Sequence, residues 1–101
     1  MSSIAILGAG AMGSGLANAL VRAGWQVNLW GTWLDDHLID AIEAGEPHPR
    51  INVVISDKVN TFRSDDLNKA LDGVDVVALS VASVGVPKVA ELAFEGISKA
   101  Q

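Results

Sequence analysis

Ser3-Ile4-Ala5-Ile6-Leu7-Gly8-Ala9-Gly10-Ala11-Met12-Gly13-Ser14 is the stretch that decides the fold. Its first five residues form a short apolar run ending at a glycine, the pattern of a strand buried on both faces of a parallel sheet. From about Met12 to Ala23 the spacing turns helical. Leu16, Ala17, Leu20 and Val21 fall on one face, and Gly24 is placed to end the helix. Between strand and helix stands Gly-x-Gly-x-x-Gly. Alone, such a triplet is a weak signal; directly after a strand and opening a helix, it marks a dinucleotide-binding turn. Gly8 permits the tight turn. Gly10 lacks the Cβ that would keep a pyrophosphate off the backbone, and Gly13 lets the helix lie close on the strand. The free N–H groups and positive dipole end of the helix then face the phosphates. The bland alternative is a turn that needs glycine for geometric reasons alone. Strand, motif, helix and second strand in register weigh against it.

Outward from the motif, strand and helix patterns alternate. Gln26-Val27-Asn28-Leu29-Trp30 reads as a second strand. Leu34 to Ala44 reads as a second helix, with Leu34, Leu38, Ile39 and Ile42 apolar, Asp35, Asp36, Asp40 and Glu43 on its wet side, and Gly45 closing it. Glu46 to Arg50, with two prolines, is a turn or loop. Ile51 to Ile55 and Val59 to Phe62 are either a hairpin or a loop followed by the third strand. Ser64 is placed to cap a short helix over Asp65 to Leu71, with Asp65 and Asp66 at its positive end. Gly73 stops that helix, and Val74 to Val81 is the next strand. Pro87 suits a helix start, and Val89, Leu92 and Ala93 suit a last short helix ending near Gly96. The class is α/β. Right-handed crossovers favour a Rossmann-type doubly wound parallel sheet of order 3-2-1-4, truncated to about four strands. Residues 1–101 then make one partial dinucleotide-binding domain without a C-terminal substrate domain.

Composition narrows the function. The chain has 101 residues, 50% apolar and 19% charged, with a net charge of −5. One small core is within reach. Nucleic acid is excluded as a partner, because its phosphates need clustered cations and the seven basic residues are scattered. No polybasic patch points to a membrane, and no stretch approaches the ~20 apolar residues of a span. Without cysteine there is no disulfide, thiolate metal site or cysteine nucleophile, and a cytoplasmic location is expected. His37 and His48 have no acidic or histidine partner at a metal-binding spacing, so no metal site is expected and both are read as solvated.

The end of the second strand should distinguish NAD from NADP. An acidic residue there would bind the ribose 2′-OH of NAD, and a basic one would clamp the 2′-phosphate of NADP. Trp30, Gly31 and Thr32 are neither, and Trp33, Leu34, Asp35 and Asp36 add no base, so both cofactors stay open. Thr32 offers its hydroxyl to either, or caps the second helix, since Thr32-Trp33-Leu34-Asp35 resembles a capping box with Asp in place of Glu. Trp30 either packs near the end of the sheet or flanks an adenine. Ser80 and Ser83 stand at the carboxyl end of the fourth strand, on the ligand-binding rim. Ser80 is placed to touch the diphosphate or nicotinamide side, whereas Ser83 suits a turn or cap.

Several features together narrow the family. Gly8 to Ser14, Val27-Asn28-Leu29-Trp30-Gly31-Thr32, His48-Pro49-Arg50 and Asp75 to Val81 resemble the N-terminal region of NAD(P)-dependent glycerol-3-phosphate dehydrogenases, especially the archaeal-like branch. The resemblance covers about Ser3 to Leu92. It implies reversible reduction of dihydroxyacetone phosphate to sn-glycerol 3-phosphate for glycerophospholipid synthesis. It also implies cofactor contacts at Ala11, Met12 and Thr32. The family's catalytic lysines follow a fifth strand and lie in a C-terminal helical domain. Ile97-Ser98-Lys99-Ala100 only faintly resembles the first of those lysine segments, so no catalytic residue is assigned and Lys99 reads as a solvated terminal lysine. The expected cofactor site is therefore Gly8, Gly10, Ala11, Met12, Gly13, Trp30, Gly31, Thr32 and Ser80. Two other readings stand beside it: a stand-alone NAD(P)-binding module, and the start of a ketopantoate reductase-like enzyme, which also opens with Gly-Ala-Gly-Ala-Met-Gly. In a four-stranded sheet the apolar fourth strand is an exposed edge, so self-association through that edge is expected.

Overall fold

The structure is a computed structural model that describes residues 2–80. Four strands, β1 (Ser3–Leu7), β2 (Gln26–Trp30), β3 (Asn60–Phe62) and β4 (Val76–Leu79), form one sheet in the order β3-β2-β1-β4. Helices α1 (Ala11–Arg22), α2 (Asp36–Glu43) and α3 (Leu67–Leu71) lie between them, and a 3-10 turn over Ser64–Asp66 leads into α3. Every pairing is parallel, with Leu7 opposite both Trp30 and Leu79, and Trp30 opposite Phe62. The carboxyl ends of all four strands therefore share one rim. This is the Rossmann-like α/β sheet of order 3-2-1-4 that the sequence predicts. The expected last helix from Pro87 to Gly96, the strand end at Val81, Ser83 and Lys99 lie outside the described residues.

The period-2 alternation of the strands builds two cores. Ile4, Ile6, Val27 and Leu29 point to the face covered by α1 and α2, where they meet Ala17, Leu38 and Ile39. Ala5, Leu7 and Trp30 point to the other face and meet Leu67, Ala70 and Leu71 of α3. All five residues of β1 are buried. Each large aliphatic side chain so buried contributes about 1.5–3 kcal/mol. Polar ties set the register. The Ser3 N–H donates to Asp75 Oδ2 at 3.0 Å, and the Asn28 amide donates to Ala70 O at 2.9 Å, fastening α3 to β2. Arg63, just after β3, pairs with Asp36 and Asp40 of α2. Among the described residues no helix is long and apolar enough to cross a membrane.

Three local expectations are corrected and one open alternative is decided. The buried face of α1 is not the leucine-rich one: Gly13, Ser14, Ala17 and Asn18 are buried, Leu20 and Val21 pack only partly, and Leu16 is 40% exposed. The helix lies so near the sheet at its start that only small side chains fit there, and Asn18 uses its carbonyl to accept the Ser56 N–H at 3.0 Å. Leu34 belongs to the turn before α2 and is 65% exposed. Ile51 to Ile55 forms no hairpin arm. A single antiparallel bridge joins Val54 to Pro47, and the apolar spacing serves packing, with Ile55 buried and Ile51 partly buried against the first core. The loop-plus-strand alternative is the observed one. Ser64 makes no side-chain cap; its carbonyl instead accepts the Trp30 indole N–H at 3.3 Å.

Two glycines of α1 illustrate what the fold demands. A Cβ on Gly13 would run into the carbonyl oxygen of Gly8, whereas one on Gly15 would meet nothing within 4 Å. Urea denaturation should therefore separate them. Gly15→Ala is expected to raise stability by about 0.5–1 kcal/mol through helix propensity. Gly13→Ala is expected to lower it by about 1–3 kcal/mol, since backbone rather than a side-chain tip must give way.

Candidate functional site

Strand β1 runs straight into the rim. Gly8 adopts φ 127°, a conformation closed to side chains, and its N–H donates to Trp30 O at 2.7 Å. Two residues later Gly10 is the N-cap of α1, with φ −68° and ψ −170°. No side chain caps this helix, and its first turn holds no acidic residue. Ser14 is the first residue whose N–H finds a carbonyl of the helix, Gly10 O at 3.0 Å. The N–H groups of Ala11, Met12 and Gly13 have no acceptor among the described residues. Ala11 and Met12 are both exposed, Met12 at 80%. A Cβ built on Gly10 would meet only Arg50 Nη1, at 3.9 Å. Unpaired donors, a positive dipole end, no competing carboxylate and an open approach are what a phosphate group requires.

The loop is held from behind at one residue, Ala9, which is fully buried. Its N–H donates to Asp35 Oδ2 at 3.2 Å. Its carbonyl accepts from Ser14 Oγ at 2.9 Å and lies 2.8 Å from His48 Nε2. The Arg50 N–H donates to His48 Nδ1 at 3.1 Å, which makes Nδ1 the acceptor and places the ring proton on Nε2, facing Ala9. Asp35 Oδ2 also accepts the N–H and the hydroxyl of Thr32, each at 3.1 Å, and Thr32 Oγ1 accepts the Leu34 N–H at 3.2 Å. The capping role expected of Thr32 is corrected: the N-cap of α2 is Asp35, no side chain caps the helix, and the Thr32–Asp35 bonds instead close the turn before α2, with the Asp35 carboxylate shared with the glycine loop.

The structure brings most of the expected residues together. Gly8, Gly10, Ala11, Met12 and Gly13 form the turn and the opening of α1. Ser80 joins them: its N–H donates to Leu7 O at 2.8 Å, and its hydroxyl lies 3.3 Å from where a Gly13 Cβ would stand. Gly31 is needed for packing, since a Cβ there would stand 2.6 Å from Ile39 Cγ1. Thr32 is buried, with its hydroxyl proton engaged by Asp35. For Trp30 the packing alternative is the observed one. The indole is fully buried beside α3 and offers no face to an adenine; only the Trp30 carbonyl touches the loop.

Three residues were misjudged or passed over from sequence. His48 is not solvated but 0% exposed, reaching back to Ala9 across 39 residues. Asp35 is not on a wet helix face; it precedes α2 and is half-buried under the loop. Arg50 received no chemical role, yet its guanidinium stands beside Gly10. The Asp in the capping-box pattern was the one sequence signal for Asp35. Nothing in the spacing of His48 and Arg50 announced a contact with the motif.

Comparison with known proteins agrees with this geometry. Residues 3–101 match the family described as NAD-dependent glycerol-3-phosphate dehydrogenase N-terminus. An NADP(+)-dependent glycerol-3-phosphate dehydrogenase of Archaeoglobus fulgidus is 43% identical over 83 residues, which is 82% of this chain and 24% of that protein. Glycerol-3-phosphate dehydrogenases [NAD(P)+] of Limosilactobacillus reuteri and Clostridium perfringens are each 32% identical, over 87% and 82% of this chain and 25% and 24% of their own length. The chain thus spans about a quarter of the length of these curated relatives.

The clamp on Ala9 can be tested directly. Asp35→Ala leaves the N–H groups of Ala9 and Thr32 without their acceptor and is expected to cost about 1–3 kcal/mol. Amide exchange followed by NMR should show the Ala9 N–H losing protection before the strand amides of β2 do. Unchanged Ala9 protection would show that Asp35 does not hold the loop.

Proposed function

The chain belongs to the family of NAD-dependent glycerol-3-phosphate dehydrogenase N-termini, and we propose that it is the dinucleotide-binding part of such an enzyme, holding NAD or NADP by its diphosphate on the glycine loop. The observation that carries this reading is Gly10. Gly8 is required by its φ, and Gly13 by the Gly8 carbonyl behind it. Gly10 has an ordinary φ of −68° and open space around its missing Cβ, so neither conformation nor packing asks for glycine there. An N-cap serine or aspartate would satisfy the helix donors. Glycine leaves those donors free and removes the side chain that would stand in a ligand's way, which is what a bound diphosphate needs.

In this reading the N–H groups of Ala11, Met12 and Gly13 take the phosphate oxygens, and the Ser80 hydroxyl lies on the same rim. Gly31 and Thr32 lie at the end of β2, on the side expected for the adenosine ribose. The dinucleotide, when bound, supplies the hydride. The reaction is the reversible reduction of dihydroxyacetone phosphate to sn-glycerol 3-phosphate, in the cytoplasm, for glycerophospholipid synthesis. Hydride transfer requires the carbonyl substrate to be held against the nicotinamide. Residues 1–101 alone are therefore expected to bind cofactor without turnover, and Lys99→Ala is expected to change nothing. Strand β4 is the outermost strand among the described residues, with Val76 and Leu79 exposed at 43% and 48%. Pairing of two copies along it is part of the proposal, and a monomer by light scattering at high concentration would remove that part.

Calorimetric titration with NADH and NADPH tests the core of the reading. The wild-type chain should bind at least one of them, and Gly10→Ser should lose most of that binding while melting no lower than the wild type. Failure of both dinucleotides to bind at millimolar concentration, or full binding by Gly10→Ser, would overturn it.

A further inference from the structure

We propose that His48 is a positioning residue for the dinucleotide: it locks the Ala9–Gly10 peptide with its carbonyl turned away from the pocket, so that no backbone oxygen stands where phosphate binds. The inference rests on the dinucleotide reading above and adds to it a residue that acts through the backbone and touches no ligand.

The need for a lock follows from the motif itself. In a trans peptide the C=O and the N–H point in opposite directions. The Ala9 carbonyl points inward, where Ser14 Oγ donates to it at 2.9 Å and His48 Nε2 at 2.8 Å. The N–H on the other side of that peptide belongs to Gly10, which is partly exposed, and it has no acceptor among the described residues. A peptide turns over as a unit by opposed rotations about ψ of the residue before it and φ of the residue after it. Here that motion carries residue 10 from φ −68° into positive φ. Side chains bar most of that region, and glycine enters it without steric cost. The glycine that keeps the pocket open therefore leaves its own peptide free to turn over. A turned-over peptide aims an acceptor oxygen at the phosphate and withdraws a donor from it.

Two donors oppose that motion. Ser14 belongs to α1, within the motif. His48 comes from the loop between α2 and β3, 39 residues along the chain from Ala9, and its ring is fully buried. The ring is held in turn. Its Nδ1 accepts the Arg50 N–H at 3.1 Å, the His48 N–H donates to Val53 O at 2.9 Å, and the His48 carbonyl accepts the Asn52 N–H at 2.8 Å. The peptide before Ala9 is fixed separately, by the bond from the Ala9 N–H to Asp35 Oδ2. Freedom is thus confined to the one peptide that Ser14 and His48 hold. Without the His48 donor, the Ser14 hydroxyl alone is left, and a hydroxyl can rotate to accept the Gly10 N–H instead.

The test uses two variants of the whole chain, each keeping one half of the bonding of the ring. A glutamine amide reaches as far as Nε2 and keeps a donor for the Ala9 carbonyl. An asparagine amide reaches only as far as Nδ1 and keeps the acceptor for the Arg50 N–H. In calorimetric titration with NADH and NADPH, His48→Asn is expected to bind each dinucleotide that the wild type takes about tenfold more weakly, as when the competent peptide falls to about one molecule in ten. His48→Gln should recover most of the affinity. Amide exchange followed by NMR, without ligand, reads the peptide itself. The Gly10 N–H should exchange fast in the wild type and more slowly in His48→Asn, because turning over buries it. Loosening of the loop alone would not slow it. Wild-type affinity in His48→Asn, an equal loss in both variants, or a protected Gly10 N–H in the wild type each overturns the proposal and leaves the dinucleotide reading standing. The wild-type exchange decides even where His48→Asn does not fold. Failure of the wild type to bind either dinucleotide brings down both.

Discussion

Helix α1 can lie against the end of β1 only because Gly13 presents no side chain to the carbonyl oxygen of Gly8. Much of the molecule follows from that approach. It decides which residues α1 can turn toward the sheet, and small or polar ones, Ser14, Ala17 and Asn18, take those places. It puts the start of the helix at the rim where four parallel strands end. Had the contact been looser by one methyl group, the amides of Ala11 and Met12 would point elsewhere and the rim would carry no row of donors.

The second constraint is the peptide of Ala9. Its N–H and carbonyl are both buried, and both are satisfied by side chains from distant parts of the chain. Asp35 serves the turn before α2 and the glycine loop with one oxygen, so the position of that turn and the shape of the loop are coupled. His48 does the same for the loop between α2 and β3. A buried polar group left without a partner costs far more than a satisfied one contributes. That asymmetry makes the arrangement close to all-or-none. It also explains why a loop rich in glycine, with high intrinsic freedom, can hold a fixed shape.

The parts of this architecture that depend on local pattern were legible in the sequence. Strands β1 and β2, the order of the sheet and the structural roles of Gly8 and Gly13 follow from apolar periodicity and from the chemistry of glycine. The pairing of Thr32 with Asp35 was legible for the same reason, because the partners are three residues apart, although it closes the turn before α2 and does not cap the helix. What was not legible depended on contacts across long stretches of chain. Leu16 looked like core because its spacing is right, but the close seat of α1 turned it outward. His48 looked solvated between its prolines, and only the folded loop shows that it reaches Ala9. Ile51 to Ile55 carries strand-like residues whose apolar side chains serve a loop packed on the first core.

The three glycines of the motif answer to different demands, and a lineage that stopped using its ligand would treat them differently. Gly8 and Gly13 would stay, because the turn and the helix seat need them whether or not anything binds. Gly10 would be released, and the first serine or aspartate to appear there would be welcomed as a helix cap. The middle glycine is thus the one of the three whose identity neither the turn nor the seat of the helix explains.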